Sequence, residues 1–418
     1  MDARDNELLT RTGPGTPMGT LFRRFWIPAL LSEEVNEKDC PPMRVTLLGE
    51  ELVAFRDSAG RVGLLNARCP HRCAELFFGR NEEGGLRCAY HGWKFDVEGR
   101  CMDMPTEPAT SKLKNEVRAR SYPIEERGGI VWAYLGPAEL RPALPHIEYF
   151  DLPASHVFSS RCLMRCNHQQ ALEGSMDTAH LTFLHRSLKP TDESYQALGV
   201  GNYGVLADID GMPKFFVSDT EYGLRIAARR EADPKHYYWR ISQWFMPHTV
   251  FVAADPDSLC RGNVFVPIDD ENCWWYRIRW HASRALTENE IRSFYASGDY
   301  AELIPGTYAP VGNKSNDYLI DRVDQRTASY SGIKSAQLQD IAVQESQGRI
   351  VDRTQEYLGT TDGAIVRCRR KLLQHAAALA SGIEPPVTRK PEAYKVKAPT
   401  MLLNRELQLE EGIRGLAV

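Results

Sequence analysis

The sequence predicts an α+β protein in which a small all-β domain precedes a larger domain of mixed sheet and helix. Three observations carry this prediction. Residues 44–134 break into short β-branched or aliphatic runs separated by turn residues, a proline-rich stretch follows from Pro137 to Pro145, and beyond it helix-like segments alternate with aromatic-rich extended runs. At 418 residues, with 43% hydrophobic and 25% charged residues, the chain has enough apolar surface for two domains. We divide it into an N-terminal segment packing on the rest (1–40), the β domain (41–140) and the mixed domain (141–418).

Each element has a local cause. Gly13-Pro-Gly-Thr-Pro-Met-Gly lacks both the GxGxxG order and the Walker lysine, so it reads as a turn and not as a phosphate loop. In the β domain the strands are cut by Gly49-Glu-Glu, Asp57-Ser-Ala-Gly, Glu82-Glu-Gly-Gly, Glu98-Gly-Arg and Arg127-Gly-Gly. The proline-rich stretch is a linker. After it, Asn167 to His185 is predicted to be helical, and Tyr237 to Met246 and Cys273 to Trp280 to be extended. Near the carboxyl end, Thr361-Asp-Gly starts a helix with Ile365, Leu372, Leu373 and Ala376 at helical spacing, and Gly382 with the prolines after Glu384 stops it.

The most informative pattern is Cys-x-His-x16-Cys-x2-His, formed by Cys69, His71, Cys88 and His91 in two turn-rich loops between strand-like runs. Two thiolates suit one iron and two neutral imidazoles the other, which describes a Rieske 2Fe-2S site. The neutral ligands raise its reduction potential above that of an all-cysteine cluster. The alternative is structural zinc, for which two Cys and two His are also a good set. Zinc fingers usually keep the cysteines in one knuckle and the histidines in another, whereas each loop here supplies one of each.

A second metal site is legible in the segment Asn167 to His185. At about 100° per residue, His180 and His185 flank Asp177 on a helix and subtend about 140°, so both rings reach one ion only if the helix loosens after about Leu181. Two imidazoles and one carboxylate make a facial triad that leaves positions open on ferrous iron. The carboxylate is expected from Asp340, an acid in a largely uncharged helix-compatible run that needs a partner, with Glu345 as the other candidate. For these residues the alternatives are hydrogen-bonded core histidines and a helix-capping or arginine-paired aspartate.

A net charge of −4 without a basic stripe argues against nucleic acid as a partner. The amino terminus is polar and acidic and no apolar run is long enough to cross a bilayer, so a cytoplasmic protein without membrane association is expected. Ten irregularly spaced cysteines fit a reducing compartment, and the eight outside the cluster are expected to be buried small hydrophobes.

With these residues in view, the chain resembles the oxygenase (alpha) subunit of Rieske non-heme iron aromatic ring-hydroxylating oxygenases, in the phthalate dioxygenase-like branch. The resemblance runs through Thr10 to Gly19, both cluster loops with His91-Gly-Trp-Lys-Phe-Asp, Leu172-Glu-Gly-Ser-Met-Asp-Thr-Ala-His, and Gln339-Asp-Ile-Ala-Val-Gln-Glu-Ser to Asp352-Arg. The disulfide positions of respiratory Rieske proteins are occupied by Ala74 and Tyr90, and a potential in the lower part of roughly −150 to +300 mV is expected. The resemblance implies a helix-grip catalytic domain with iron on His180, His185 and Asp340, and trimers or stacked trimers in which one subunit's cluster faces its neighbour's iron. It implies Asp177 as the bridge between a cluster histidine and an iron histidine, and places Asn167 and Glu173 near the iron. The chain departs from commoner members at His168, usually aromatic, and at Cys73, usually glycine.

The chain carries no dinucleotide or flavin motif, so electrons are expected from a separate NAD(P)H-dependent reductase with flavin and iron-sulfur centres. With O2 they would hydroxylate or dihydroxylate an aromatic, carboxylated substrate, with Arg225 and Arg240 in strand-like runs as candidates for the carboxylate. O- or N-demethylation by monooxygenation is the close alternative, and an electron-transfer Rieske protein without oxygen chemistry the distant one.

Overall fold

In the computed structural model, residues 1–189, 206, 210–296, 299–416 and 418 are described. Two short helices open the chain, α1 (Ala3–Thr10) and α2 (Pro17–Phe22), each started by a side chain that accepts a backbone N–H, Asp2 and Thr16 respectively. Gly13 to Thr16 between them is bend and turn, whereas Pro17-Met-Gly, the rest of the segment read as a turn, begins α2.

The first domain is built from three small antiparallel sheets. Strand β1 (Trp26–Leu31) belongs to the N-terminal segment of our division, yet it adds an edge to this domain by pairing with the strand Ile130–Tyr134. Strands β2 (Met43–Leu47), β3 (Glu50–Arg56) and β4 (Val62–Asn66) form a meander. Strands β5 (Arg80–Glu82), β6 (Gly85–Arg87), β7 (Lys94–Phe95) and β8 (Cys101–Asp103) form another. Strands β9 (Ile124–Arg127) and β10 (Ile130–Tyr134) close the first sheet. A separate apolar cluster, including Phe55, Leu65, Leu86, Trp93 and Phe95, lies under the two cysteine loops and contains Cys69 and Cys88.

The second domain is organised by one eight-stranded antiparallel sheet. Its strands are β11 (Val157–Met164), β12 (Lys214–Asp219), β13 (Gly223–Glu231), β14 (His236–Phe245), β15 (Thr249–Val252), β16 (Cys260–Pro267), β17 (Cys273–Trp280) and β18 (Thr400–Asn404). The order is β11-β17-β16-β15-β14-β13-β12. Strand β14 divides one edge between two partners, β18 on His236 to Arg240 and β15 on Gln243 to Phe245. Helices α3 (His168–Met176), α4 (Ala336–Ser346) and α5 (Gly363–Ala380) pack on and beside this sheet. The last ends as its sequence requires, with Gly382 at φ 83° and the Ile383 N–H bonded back to the Ala378 carbonyl.

The two domains share a continuous core. At one contact the Leu48-Gly49 turn, with φ 50° and 74°, docks its two N–H groups on the carbonyls of Pro267 and Ile268 at 2.9 and 2.8 Å. At another, Arg161 of β11 reaches Glu34 of the N-terminal segment at 2.5 Å, both buried.

Two expectations need correction. The helix predicted from Asn167 to His185 stops at Met176, because Asp177 is extended (φ −74°, ψ 129°) and turns its carboxylate onto the backbone ahead; His180 to Thr182 form a separate 3-10 turn. Of the eight cysteines outside the cluster pattern, Cys162, Cys166, Cys273 and Cys368 are buried, Cys40, Cys101 and Cys260 are half-buried, and Cys73 is exposed.

Candidate metal centres and cavity

The two cysteine loops repeat one hydrogen-bond pattern. In the first, the Cys69 N–H donates to the Ala74 carbonyl and the Cys73 N–H to the Cys69 carbonyl; in the second, Cys88 donates to Trp93 and Gly92 to Cys88, all at 2.8–2.9 Å. The residue four after each cysteine is left-handed, Cys73 at φ 57° and Gly92 at φ 77°. The loops thus present Cys69, His71, Cys88 and His91 from equivalent frames. The imidazoles of His71 and His91 lie 4.4 Å apart between centroids, and His71 stacks on Trp93 at 4.2 Å.

This loop pair fits a cluster. Buried His71 Nδ1 has no hydrogen-bond partner among the described residues, a cost that a metal bond removes. Both thiols are buried; burial, and then the second sulfur, push Cys69 up to about 12. Such a thiol carries charge only against a cation.

The second centre is assembled from three elements. Asp177 terminates α3, its Oδ1 accepts the Ala179 N–H at 2.7 Å, and its Oδ2 faces His180 Nδ1 at 3.3 Å. His185 Nδ1 faces Gln339 Oε1 at 2.6 Å, and the Gln339 amide is fixed the right way round because its Nε2 donates to the Ile333 carbonyl, also at 2.6 Å. An amide oxygen and a carboxylate only accept, so both Nδ1 atoms carry protons and both Nε2 atoms carry lone pairs. Those Nε2 atoms face each other at 3.2 Å, with Asp340 Oδ1 at 3.7 and 3.5 Å from them. Three electron-rich atoms within 4.8 Å of one another suit a cation between them.

The same neighbours set the charges of these groups in the absence of metal. Burial raises the Asp177 carboxyl, but the His180 ring and the N–H groups ahead outweigh it and leave it below its ordinary value. Burial lowers His185, and the Asp340 carboxylate and Gln339 oxygen overcome it and hold the ring above its ordinary value.

Beside the triad a cavity lies between the sheet, α3 and α4. Alternation along β16 and β17 turns Arg261, Asn263 and Phe265, and Trp275, Arg277 and Arg279, onto its wall; Arg240 enters from β14. Four arginines in one cavity are costly, and Asp299 answers two of them, at 2.8 Å from Arg277 and 3.7 Å from Arg279. Arg261 stands directly across from Arg279 in the ladder, and burial and then Arg279 lower it to about 10.

The structure brings His180, His185, Asp340, Asp177 and Arg240 to this cavity and places the other candidates elsewhere. Arg225 pairs with Glu410 away from it. Asn167 caps α3 and donates to the Thr10 and Asp270 carbonyls at 2.9 and 2.7 Å. Glu173 is held by Arg369, Arg353 and Gln169. Glu345 accepts the Arg165 N–H and the Tyr318 hydroxyl. Gln339, Arg261, Arg277, Arg279 and Asp299 were not singled out from the sequence. The available signal was two arginines spaced by two in the aromatic run Trp274 to Trp280, a polar stripe on a strand otherwise built for a core.

A cluster-binding β domain joined to a sheet-and-helix domain with a two-histidine, one-carboxylate centre defines a class of oxygen-activating, electron-fed enzymes. Comparison with known proteins agrees. Residues 25–123 match the Rieske [2Fe-2S] domain, and residues 133–401 match the domain described as LigXa C-terminal domain like. The chain is 39% identical over 410 residues to the 3-chlorobenzoate-3,4-dioxygenase oxygenase subunit of Comamonas testosteroni, covering 94% of this chain and 92% of that one. It is 36% identical to the phthalate 4,5-dioxygenase oxygenase subunit of Pseudomonas putida (90% and 87% covered). It is 31% identical to the 5,5'-dehydrodivanillate O-demethylase oxygenase subunit of Sphingobium sp. strain NBRC 103272 / SYK-6 (98% and 88% covered). Among solved structures, dicamba monooxygenase bound to 3,6-dichlorosalicylic acid shares the fold, with a TM-score of 0.59 at 18% identity over 87% of this chain and 99% of that one. The chain belongs to the Rieske non-heme iron oxygenases and is an oxidoreductase whose cofactors are a 2Fe-2S cluster and a mononuclear iron.

Proposed function

We propose that this oxygenase subunit hydroxylates an aromatic carboxylate, with Cys69, His71, Cys88 and His91 holding the cluster and His180, His185 and Asp340 the mononuclear iron. The observation that carries the substrate class is the arginine-rich wall beside the triad: among the described residues neither Arg240 nor Arg261 forms an ion pair, and the buried Arg240 Nε has no hydrogen-bond partner. When bound, the cluster supplies single electrons and the iron supplies open positions at which dioxygen is reduced for insertion into the substrate.

The chain's own residues perform the remaining tasks. Arg240 and Arg261 hold the carboxylate through charge-assisted hydrogen bonds, and Phe265 and Trp275 give the aromatic ring an apolar wall. Asp177 and Gln339 keep protons on the two Nδ1 atoms, so that Nε2 faces inward on both rings. In this reading Asp177 also couples the two centres, the electrons come from a separate NAD(P)H-dependent reductase, and the 41–140 and 141–418 domains work in a cytoplasmic homotrimer or hexamer. Among the described residues no helix is long and apolar enough to cross a membrane.

The test combines a reductase with benzoates and methoxyaromatics, following NADH, oxygen uptake and product mass together. Two labelled oxygen atoms in the product mark dihydroxylation. One labelled atom with release of formaldehyde marks demethylation, a second reading favoured by the demethylase relative. Asp177→Ala, assayed with ferrous iron in excess so that both metals are bound, should lose turnover; full activity in that variant refutes the coupling role.

A further inference from the structure

The four cavity arginines are not equivalent. Arg277 and Arg279 are already bound to Asp299, whereas Arg240 and Arg261 are without an ion-pair partner among the described residues. Two carboxylates act on Arg261 through space, Asp299 and more weakly Asp255, and Asp255 accepts from the Thr400 hydroxyl.

Asp299 is also fixed in place. Its carbonyl accepts the Gln337 N–H and an Arg277 N–H, both at 3.1 Å, and Gln337 in turn accepts the Ala301 N–H at 3.0 Å through its side chain. Gln337 lies one turn before Asp340 on α4. The backbone of Asp299 is therefore tied to the helix that carries the iron carboxylate, and its side-chain carboxylate is held by Arg277 and Arg279. A carboxylate held on two arginines inside a substrate cavity occupies the place a second substrate carboxylate would take.

We propose that Asp299 is a specificity-determining residue: it fills the Arg277/Arg279 fork from within, so that the cavity accepts aromatic monocarboxylates on Arg240 and Arg261 and rejects dicarboxylates. This rests on reading the cavity as the aromatic-carboxylate site. Rejection has two sources, the absence of a free cation for the second carboxylate and the repulsion between that carboxylate and Asp299. Removing the Asp299 charge leaves the two buried guanidinium groups of the fork in need of an anion.

The test measures binding alone. Dissociation constants for benzoate and for the 1,2-, 1,3- and 1,4-benzenedicarboxylates are determined by anaerobic calorimetry on the fully metallated enzyme without reductase, for the native chain and for Asp299→Asn. The native enzyme should bind benzoate at least about tenfold more tightly than any dicarboxylate, the size of one charge-assisted hydrogen bond. In Asp299→Asn at least one dicarboxylate should gain about tenfold or more, with benzoate nearly unchanged, and should raise the thermal midpoint of the variant more than benzoate does. Asp299→Asn combined with Arg277→Gln and Arg279→Gln removes every charge of the fork and should lose that gain. A native enzyme that prefers a dicarboxylate overturns the proposal without help from any variant, and so does an Asp299→Asn enzyme that folds and binds benzoate but gains no dicarboxylate. If the native enzyme binds none of the four acids and Arg240→Gln changes nothing, the aromatic-carboxylate reading itself has failed.

Discussion

At the scale of the residue, the arrangement depends on which nitrogen of each imidazole carries a proton. His185 is the informative case, because its orienting partner is a neutral amide whose own direction is set by the Ile333 carbonyl. Gln339→Leu removes that acceptor, and iron affinity should fall about 10- to 100-fold. The check is anaerobic titration of iron-depleted enzyme with ferrous iron, the cluster spectrum remaining as in the native protein. Gln339→Glu retains the acceptor and should recover most of the loss.

Two other side chains sit at odds with their surroundings. Cys73 is left-handed where the matching loop has Gly92, so Cys73→Gly should stabilise the protein by about 1 kcal/mol, read from the thermal midpoint with the cluster intact. His168 is buried against Phe22, neither ring nitrogen has a hydrogen-bond partner among the described residues, and burial lowers it to about 3. Below pH 6.5 the unfolded ring takes a proton that the folded one refuses. Its contribution to stability is therefore kept above pH 6.5 and lost as pH falls towards 3, by about 1.4 kcal/mol per pH unit. His168→Phe should flatten that acid limb in midpoints measured from pH 7 to pH 4.

At the scale of the element, the sequence made the metal-binding loops legible because each packs its chemistry into a few residues: a cysteine, a histidine two or three positions on, and turn formers around them. Asp340 was legible as one of two acids, with Glu345, in an otherwise uncharged helix. The cavity arginines were not, because on one strand an outward polar stripe and an inward one have the same period, and only the packing of α3 and α4 over that face tells them apart. The end of α3 was misplaced for a local reason: the Asp177 side chain competes for backbone N–H groups, and the periodicity of the apolar residues carries no record of that competition. Glu173, expected near the iron, instead fastens α3 to α5 through two bonds from Arg369 at 2.8 and 2.7 Å, with Arg353 at 3.3 Å. Glu173→Gln leaves the buried Arg353 without its carboxylate while Arg369 keeps Glu356, and should cost about 3 kcal/mol, seen as a lowered thermal midpoint with early loss of mononuclear iron.

At the scale of the whole molecule, the two centres depend on the fold to different degrees. Cys69 and Cys88 sit in the small core of the first domain, so losing the cluster puts two thiols among Leu86, Trp93 and Phe95 with no metal to organise the loops. The mononuclear triad is held by bonds that do not involve metal, from Asp177, Gln339 and Ile333. Anaerobic chelation of the mononuclear iron should therefore leave the cluster absorbance and the far-ultraviolet dichroism unchanged, whereas destruction of the cluster should lower the stability of the first domain.

The break after Met176 bears on any attempt to transplant this centre. A His-Xaa4-His spacing copied onto an uninterrupted helix would splay the rings around the cylinder and build no pocket, however faithful the residues. The portable unit is the interruption itself, an aspartate that halts the coil and, with its other oxygen, aims the next ring; a designer would graft that punctuation first and choose the scaffold to suit it.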